Sequence, residues 1–392
     1  MAWVSRGDVL GRPGRWTAGL AVLLASLAAC AAGPVDGLGG IESRRAAVPL
    51  SGDPPGSVDP AIVPIPVDPA VRHGRLDNGL SYFLLENGSP GGSLELRLAV
   101  GVGSLEQRVA GDGLAHFLEH MLFNGTEAFP GNQLGRVLQG LGVEFGSDVN
   151  AYTTCEATVY QLWVPTTAPG AVEVAFDVLD QWATAATLEP TAVEAERGVV
   201  MDEYRSKETV EGITTDHFDR VYTQGTVYEG CDPIGTRDAI ETLDASELRD
   251  FYDRWYRPDL MAVVAVGDQP VDLLEEMVVS RFSDNQARSS HPVPVTRRAD
   301  PVTRMVVESI THEDVSSPFV SVDYSLPSRR RGTEAGERAV LLDSFVADLL
   351  QEHLDEQVRV GRLSIIRPYT TTFRHTSTQP FLGFNFVAED PP

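Results

Sequence analysis

The chain has 392 residues, 42% hydrophobic and 22% charged, which excludes a wholly disordered protein and leaves room for two or three domains. Asp and Glu (56) outnumber Lys and Arg (31) for a formal net charge of −25, a field that repels phosphate backbones and argues against nucleic-acid binding. Three cysteines are too few for a disulfide framework in a chain of this length.

Arg6, Arg12 and Arg15 precede an apolar run over residues 18–29, and the run meets Cys30. A basic start followed by an apolar stretch of about 7–15 residues is the pattern of a secretory signal peptide; a bilayer span needs about 20. Leu27-Ala28-Ala29-Cys30 resembles the lipobox of bacterial lipoproteins, whose cysteine carries the lipid. The expectation is a signal peptide over residues 1–30 and lipidation at Cys30. A flexible tether rich in Gly, Pro and Ala is expected over 31–70. Such a protein sits on the periplasmic side of a bacterial envelope and touches the membrane only through its anchor. In that oxidising compartment Cys155 and Cys231 are free to pair, although nothing around them demands it.

The folded part is expected from residue 71. Leu76-Asp77-Asn78-Gly79-Leu80 places Asn-Gly between apolar runs, a strong hairpin signal. Residues 80–85 and 93–102 alternate like half-buried strands, and 148–165 alternates again. Helical spacing runs over 111–125, 133–141, 171–186 and 190–205, the last with proline near its start. A helix over 245–256, a buried strand over 260–266 and a helix over 271–282 complete a first domain, residues 71–285. Polar, proline-containing residues 286–300 are expected to form a linker. The second unit, 301–392, is expected to carry strands near 305–310 and 319–325, a helix over 334–358, and strands near 363–373 and 381–386. The fold class is therefore α+β, a mostly antiparallel sheet with helices packed on one face, followed by a second unit loosely similar in element order.

His116-Phe117-Leu118-Glu119-His120 lies in an apolar helical segment. Positions i and i+4 share a helix face, so both imidazoles can reach one ion. Zinc suits two neutral nitrogens plus a carboxylate, with a fourth position left for water. Glu119 is then placed to take the proton as that water attacks a carbonyl. The third ligand is expected from the acidic helix 190–205, where Glu196 and Glu203 are two helical turns apart and face the same way. The residues alone leave Glu194, Glu196 and Glu203 open.

Residues 113–126, GLAHFLEHMLFNGT, resemble the zinc motif of the pitrilysin, insulinase and mitochondrial-processing-peptidase family. The likeness runs over roughly residues 70–390 and is greatest to bacterial periplasmic zinc proteases. It implies an insulinase-like metallopeptidase domain with one Zn²⁺ per chain. The ligands implied are His116, His120 and the second Glu of a Glu-x6-Glu pair, here Glu196 and Glu203. Glu203 is then the ligand, Glu196 holds a ligand in orientation, and Glu119 is the base. Asp148-Val149-Asn150-Ala151-Tyr152-Thr153 resembles the family's substrate-side edge strand, which makes Asn150 and Ala151 the candidates for pairing with an extended peptide. Arg254-Trp255-Tyr256-Arg257-Pro258, with 261–267 after it, resembles the junction that closes the family's first domain.

The resemblance also implies a clam-like shell whose C-terminal half supplies Arg and Tyr to the oxyanion. No segment here matches those two residues, so the second insulinase-like domain is expected to be partial. The implied function is a zinc-dependent endopeptidase acting on extended peptides or unfolded proteins. The alternative is a non-catalytic or half-enzyme subunit that needs a partner C-terminal half. His217, His312 and His375 stand alone and are read as surface or core groups, and Gly101-Val102-Gly103 lacks the third glycine of a nucleotide fingerprint.

Overall fold

The computed structural model describes residues 63–288, 292–297, 306–310 and 319–388; the signal segment, Cys30 and most of the expected tether lie outside them. The chain divides into two compact units, one over Val67–Ala299 and one over Asp300–Pro392 joined by the described residues before Val67.

In the first unit, β1 (Arg72–Arg75), β2 (Ser81–Glu86), β3 (Ser93–Val100), β4 (Val149–Thr153), β5 (Thr158–Pro165) and β6 (Met261–Gly267) form one sheet in the order β1-β2-β6-β3-β5-β4. All neighbours are antiparallel except β2 with β6. The expected hairpin joins β1 to β2. Its Gly79 has φ +96°, and a Cβ there would lie 2.9 Å from the Asp259 Cβ, so both conformation and space require glycine. Among the described strands β4 pairs with β5 alone, with one isolated bridge from Val149 to Phe145, and is an edge of the sheet.

Alternation decides which face is covered. Leu94, Leu96, Leu98 and Val100 of β3 and Val263 and Ala265 of β6 are fully buried, whereas Phe83, Trp163, Glu95 and Arg97 on the other face keep substantial exposure. The helices of this unit are α1 (Leu114–Met121), α2 (Gln133–Gly140), α3 (Ala171–Thr184), α4 (Pro190–Arg205), α5 (Val210–Thr223), α6 (Arg237–Thr242), α7 (Ala245–Trp255) and α8 (Val271–Phe282). Helices α1 and α3 pack on β5, and α8 packs on β2. Trp182, Tyr160, Phe117 and Phe176 fill the layer between helices and sheet. Truncating one such aromatic ring to Ala costs about 3–5 kcal/mol.

Several elements differ from the sequence expectation. α1 is shorter than 111–125 because Gly111 (φ +82°) and Gly113 (φ +70°) are left-handed, and a Cβ on Gly113 would meet the Ile234 carbonyl at 2.8 Å. The alternating run 148–165 is two strands, β4 and β5, interrupted by a tight turn in which the Thr154 N–H donates to the Ala157 carbonyl at 2.8 Å. α5 and α6 are additional helices, capped by the side chains of Thr209 and Thr236. The strand expected near 305–310 is not formed: the described residues 306–310 pair with no other strand.

Cys155 and Cys231 do pair, tying the β4–β5 turn to the segment after α5 across a sequence separation of 76. On a chain-entropy account a loop of that order contributes about 4 kcal/mol of stability.

In the second unit, β7 (Val320–Ser325), β8 (Ile365–Thr376) and β9 (Gln379–Ala388) form an antiparallel sheet in the order β7-β9-β8, and α9 (Glu334–Arg359) packs on β8. The end of the expected tether is held here: Ile65 N–H donates to the Gly332 carbonyl at 2.8 Å, and Glu334 N–H donates to Val63 at 3.0 Å. No helix among the described residues is long and apolar enough to cross a membrane.

Candidate metal centre

Every residue of α1 is buried, including His116, Glu119 and His120. Polar groups in such a place need partners, because an unpaired one costs its full desolvation free energy. The helix start has no side-chain cap at Gly113; instead Gln107 Oε1 accepts the Ala115 N–H at 3.1 Å. One turn apart, the rings of His116 and His120 meet edge-on with centroids 4.7 Å apart.

α4 packs against α1 and brings two carboxylates to these rings. It is fixed in part by Arg197, whose guanidinium donates to the carbonyls of Ile240 in α6 and of Leu243 just after it. Glu203 Oε2 lies 3.6 Å from His116 Nε2 and 3.4 Å from His120 Nε2. One ligand atom from each of His116, His120 and Glu203 lies within 4.8 Å of the other two. Bonds of about 2.0–2.2 Å to a tetrahedral ion set neighbouring ligand atoms about 3.3–3.6 Å apart, so the two distances to Glu203 suit zinc. His116 Nδ1 is buried without a hydrogen-bond partner among the described residues, leaving Nε2 as the atom directed at the cluster.

Glu196 sits on the other side of His120, with its Oε1 2.8 Å from Nδ1. Its second oxygen accepts from Asn124 Nδ2 at 2.6 Å. A carboxylate on the far nitrogen fixes ring orientation and directs Nε2 toward the ion. Glu119 points elsewhere: its Oε2 accepts from the Thr153 hydroxyl at 2.6 Å.

The electrostatics follow from burial and these contacts. Burial lowers the His116 pKa to about 4, with the charge of His120 adding to the effect. Burial raises the Glu119 pKa to about 7. Burial also opposes the charged form of His120, but its contacts with Glu196 and Glu203 prevail and raise its pKa to about 10. The same contacts, with the His116 charge, overcome burial at Glu203 and lower its pKa. In the metal-free protein His120 is therefore expected to stay protonated far above the ordinary 6.5 and to lose its proton near pH 10, while His116 stays neutral above about 4. Histidine NMR of the apo protein reads this directly, and Glu196→Gln is expected to bring the His120 titration down. A His120 midpoint at the ordinary value would contradict the assignment. Metal must displace that proton, so zinc affinity falls with acidity.

Of the residues singled out from sequence, His116, His120, Glu196 and Glu203 converge, and Glu119 lies on the same helix as the histidines but turns to Thr153. Glu194 stays apart; it is exposed and pairs with Arg197 at 3.1 Å. Asn150 and Ala151 lie on the edge strand β4, opposite Gln161 and Tyr160 of β5. Thr153 and Asn124 are contacts that the sequence did not reveal. Asn124 follows His120 by one helical turn, a spacing that pointed to the same face. Thr153 continues the helix-facing alternation Val149, Ala151, Thr153.

Comparison with known proteins agrees with this geometry. Residues 82–224 match Insulinase (Peptidase family M16), and residues 242–390 match the Peptidase M16 inactive domain. The chain is 32% identical over 293 residues to the probable zinc protease PqqL of Haemophilus influenzae, covering 74% of this chain and 32% of that one. It is 32% identical over 307 residues to the probable zinc protease PqqL of Escherichia coli, covering 77% of this chain and 32% of that one. The crystal structure of the periplasmic protease PqqL from Escherichia coli superposes with a TM-score of 0.77 at 29% identity, covering 84% of this chain and 36% of that chain. The chain thus spans about a third of the length of these relatives. On both family matches and on the fold, the chain belongs to the insulinase family of peptidases, M16.

Proposed function

We propose that the protein is a zinc-dependent endopeptidase for extended peptides or unfolded proteins. The observation that carries this reading is the His116–His120–Glu203 cluster, its imidazoles buried and Glu203 half-buried, with the Glu119 carboxylate on the helix of the two histidines but outside the triad. His116, His120 and Glu203 would hold the ion, and Glu196 with Asn124 keeps His120 in orientation. An ion bound there would supply Lewis acidity. Glu119 is the carboxylate placed to take a proton from an attacking water and to return it to the leaving amine. The extended substrate adds to the sheet at β4 through the main chain of Asn150 and Ala151, a mode tolerant of sequence.

A periplasmic location in a bacterium, with Cys30 as the lipid attachment, is part of the same proposal; it is supported by the signal-like start of the sequence and by the likeness to a protein described as the periplasmic protease PqqL. Cys30→Ser is expected to move the protein from the membrane fraction to the soluble fraction; unchanged partitioning would refute the anchor.

A second reading, a half-enzyme subunit that needs a partner C-terminal half, is supported by the likeness to a solved first half of the Escherichia coli protease PqqL, at a TM-score of 0.76 and 29% identity. Substrate misplaced by about 1 Å can cost on the order of 100-fold in rate. The test is hydrolysis of a fluorogenic unfolded peptide by the zinc-loaded chain, alone and with the remaining segment of the relatives supplied as a second chain. Chelation should abolish cleavage and zinc restore it. The second segment should raise kcat/KM by about 100-fold, the scale of one lost oxyanion donor. Cleavage that survives removal of all metal would overturn the peptidase reading, and full activity of the chain alone would overturn the two-half reading.

A further inference from the structure

We infer that Thr153 is a positioning residue for the base Glu119 and links it to the edge strand that would receive substrate; the inference rests on the peptidase reading above. Glu119 is a buried carboxylate, and among the described residues the Thr153 hydroxyl is its sole hydrogen-bond donor, at 2.6 Å to Oε2. That one bond selects which oxygen is engaged and leaves Oε1 free of protein donors. A carboxylate with a single donor takes its orientation from that donor, since its acceptor sites have no other fixed partner.

The donor itself is held firmly for a residue on a sheet edge. Thr153 pairs with Thr158, whose hydroxyl donates to the Val102 carbonyl at 3.0 Å. Immediately beyond Thr153, the Thr154 carbonyl accepts from Ser104 N–H at 3.1 Å and the Cys155 carbonyl accepts from Leu105 N–H at 3.0 Å. Cys155 is then locked to Cys231. An edge strand pinned at this end can hold a side chain to the tolerance that catalysis requires. Asn150 and Ala151 precede Thr153 on the same strand, so displacement of the edge by a docked peptide is transmitted to the base through one hydroxyl.

Threonine and valine have the same branched shape and similar strand preference, so Thr153→Val removes the donor with little change in packing. Thr153→Ser restores the hydroxyl without the methyl group. Three quantities are compared on the zinc-loaded full chain: zinc per chain, kcat and KM for a fluorogenic unfolded peptide, and Kd for a peptide hydroxamate, whose proton needs a carboxylate acceptor. Thr153→Val is expected to keep its zinc and its KM within about twofold. Its kcat should fall about 10- to 100-fold, the range for removing a partner of a site residue, and its hydroxamate affinity should weaken in parallel. Thr153→Ser should recover most of both. A kcat and hydroxamate Kd within about twofold of the parent in Thr153→Val would overturn the inference, as would a serine variant as impaired as the valine one. If the parent chain binds zinc and hydroxamate but cleaves nothing, the peptidase reading fails, while the hydroxamate comparison still decides the role of Thr153.

Discussion

Glu119→Gln should retain one zinc per chain and lose about 10²–10⁴-fold in peptide hydrolysis, the contribution of a positioned general base. The substitution keeps shape and volume, and the amide oxygen can still accept from Thr153, so the buried environment is preserved. What disappears is the ability to take a proton. Glu119 lies outside the triad whose ligand atoms cluster within 4.8 Å, so the metal should not notice the change. Elemental analysis of the purified variant reports stoichiometry, and single-peptide kinetics report turnover. Loss of zinc in parallel with activity would mean that Glu119 is itself a ligand. Undiminished turnover would remove it from the chemistry altogether.

The parts of this centre that sequence alone could reach are those fixed by local geometry. His116, Glu119 and His120 share one helix, and helical spacing determines which of them share a face before anything else folds. Choosing among the acidic residues of α4 needed the packing of α4 on α1. Glu203 faces both Nε2 atoms, Glu196 faces Nδ1 of His120, and Glu194 turns to solvent with Arg197. The Glu-x6-Glu resemblance anticipated that division, which spacing did not. Thr153 was illegible for the same reason: its partner lies 34 positions away, and the contact exists because β4 lies against α1 in one register. At the level of the fold, β2, β3 and β6 were readable because one face is buried, whereas the four residues of β1 are too few to show a pattern and the turn between β4 and β5 is hidden in their common alternation. α5 and α6 were not readable either, since their sequences carry little apolar periodicity and are marked mainly by the threonines that cap them.

Glu203→Gln is expected to weaken zinc binding by more than about 100-fold, exceeding the 10- to 100-fold typical when an outer partner of a ligand is removed. Charge and position set the size of this loss. Glu203 supplies the only anionic oxygen of the triad, 3.6 and 3.4 Å from the two imidazole Nε2 atoms. An amide oxygen in its place keeps a lone pair but removes the negative charge, which in a buried site is the larger part of the attraction to a dication. Glu196→Gln also removes a charge, but from the far side of His120, where the loss acts through ring orientation and should stay within the smaller range. Glu194→Gln, exposed and engaged with Arg197, should change nothing measurable. Competition against a chelator of known affinity ranks the three variants, with thermal melting of the metal-free forms as the check that each is folded. The order Glu203, Glu196, Glu194 is the expected result. Equal losses at Glu203 and Glu194 would show that the register of α4 on α1 has been misassigned, and a larger loss at Glu196 would exchange the roles of the two carboxylates that flank His120.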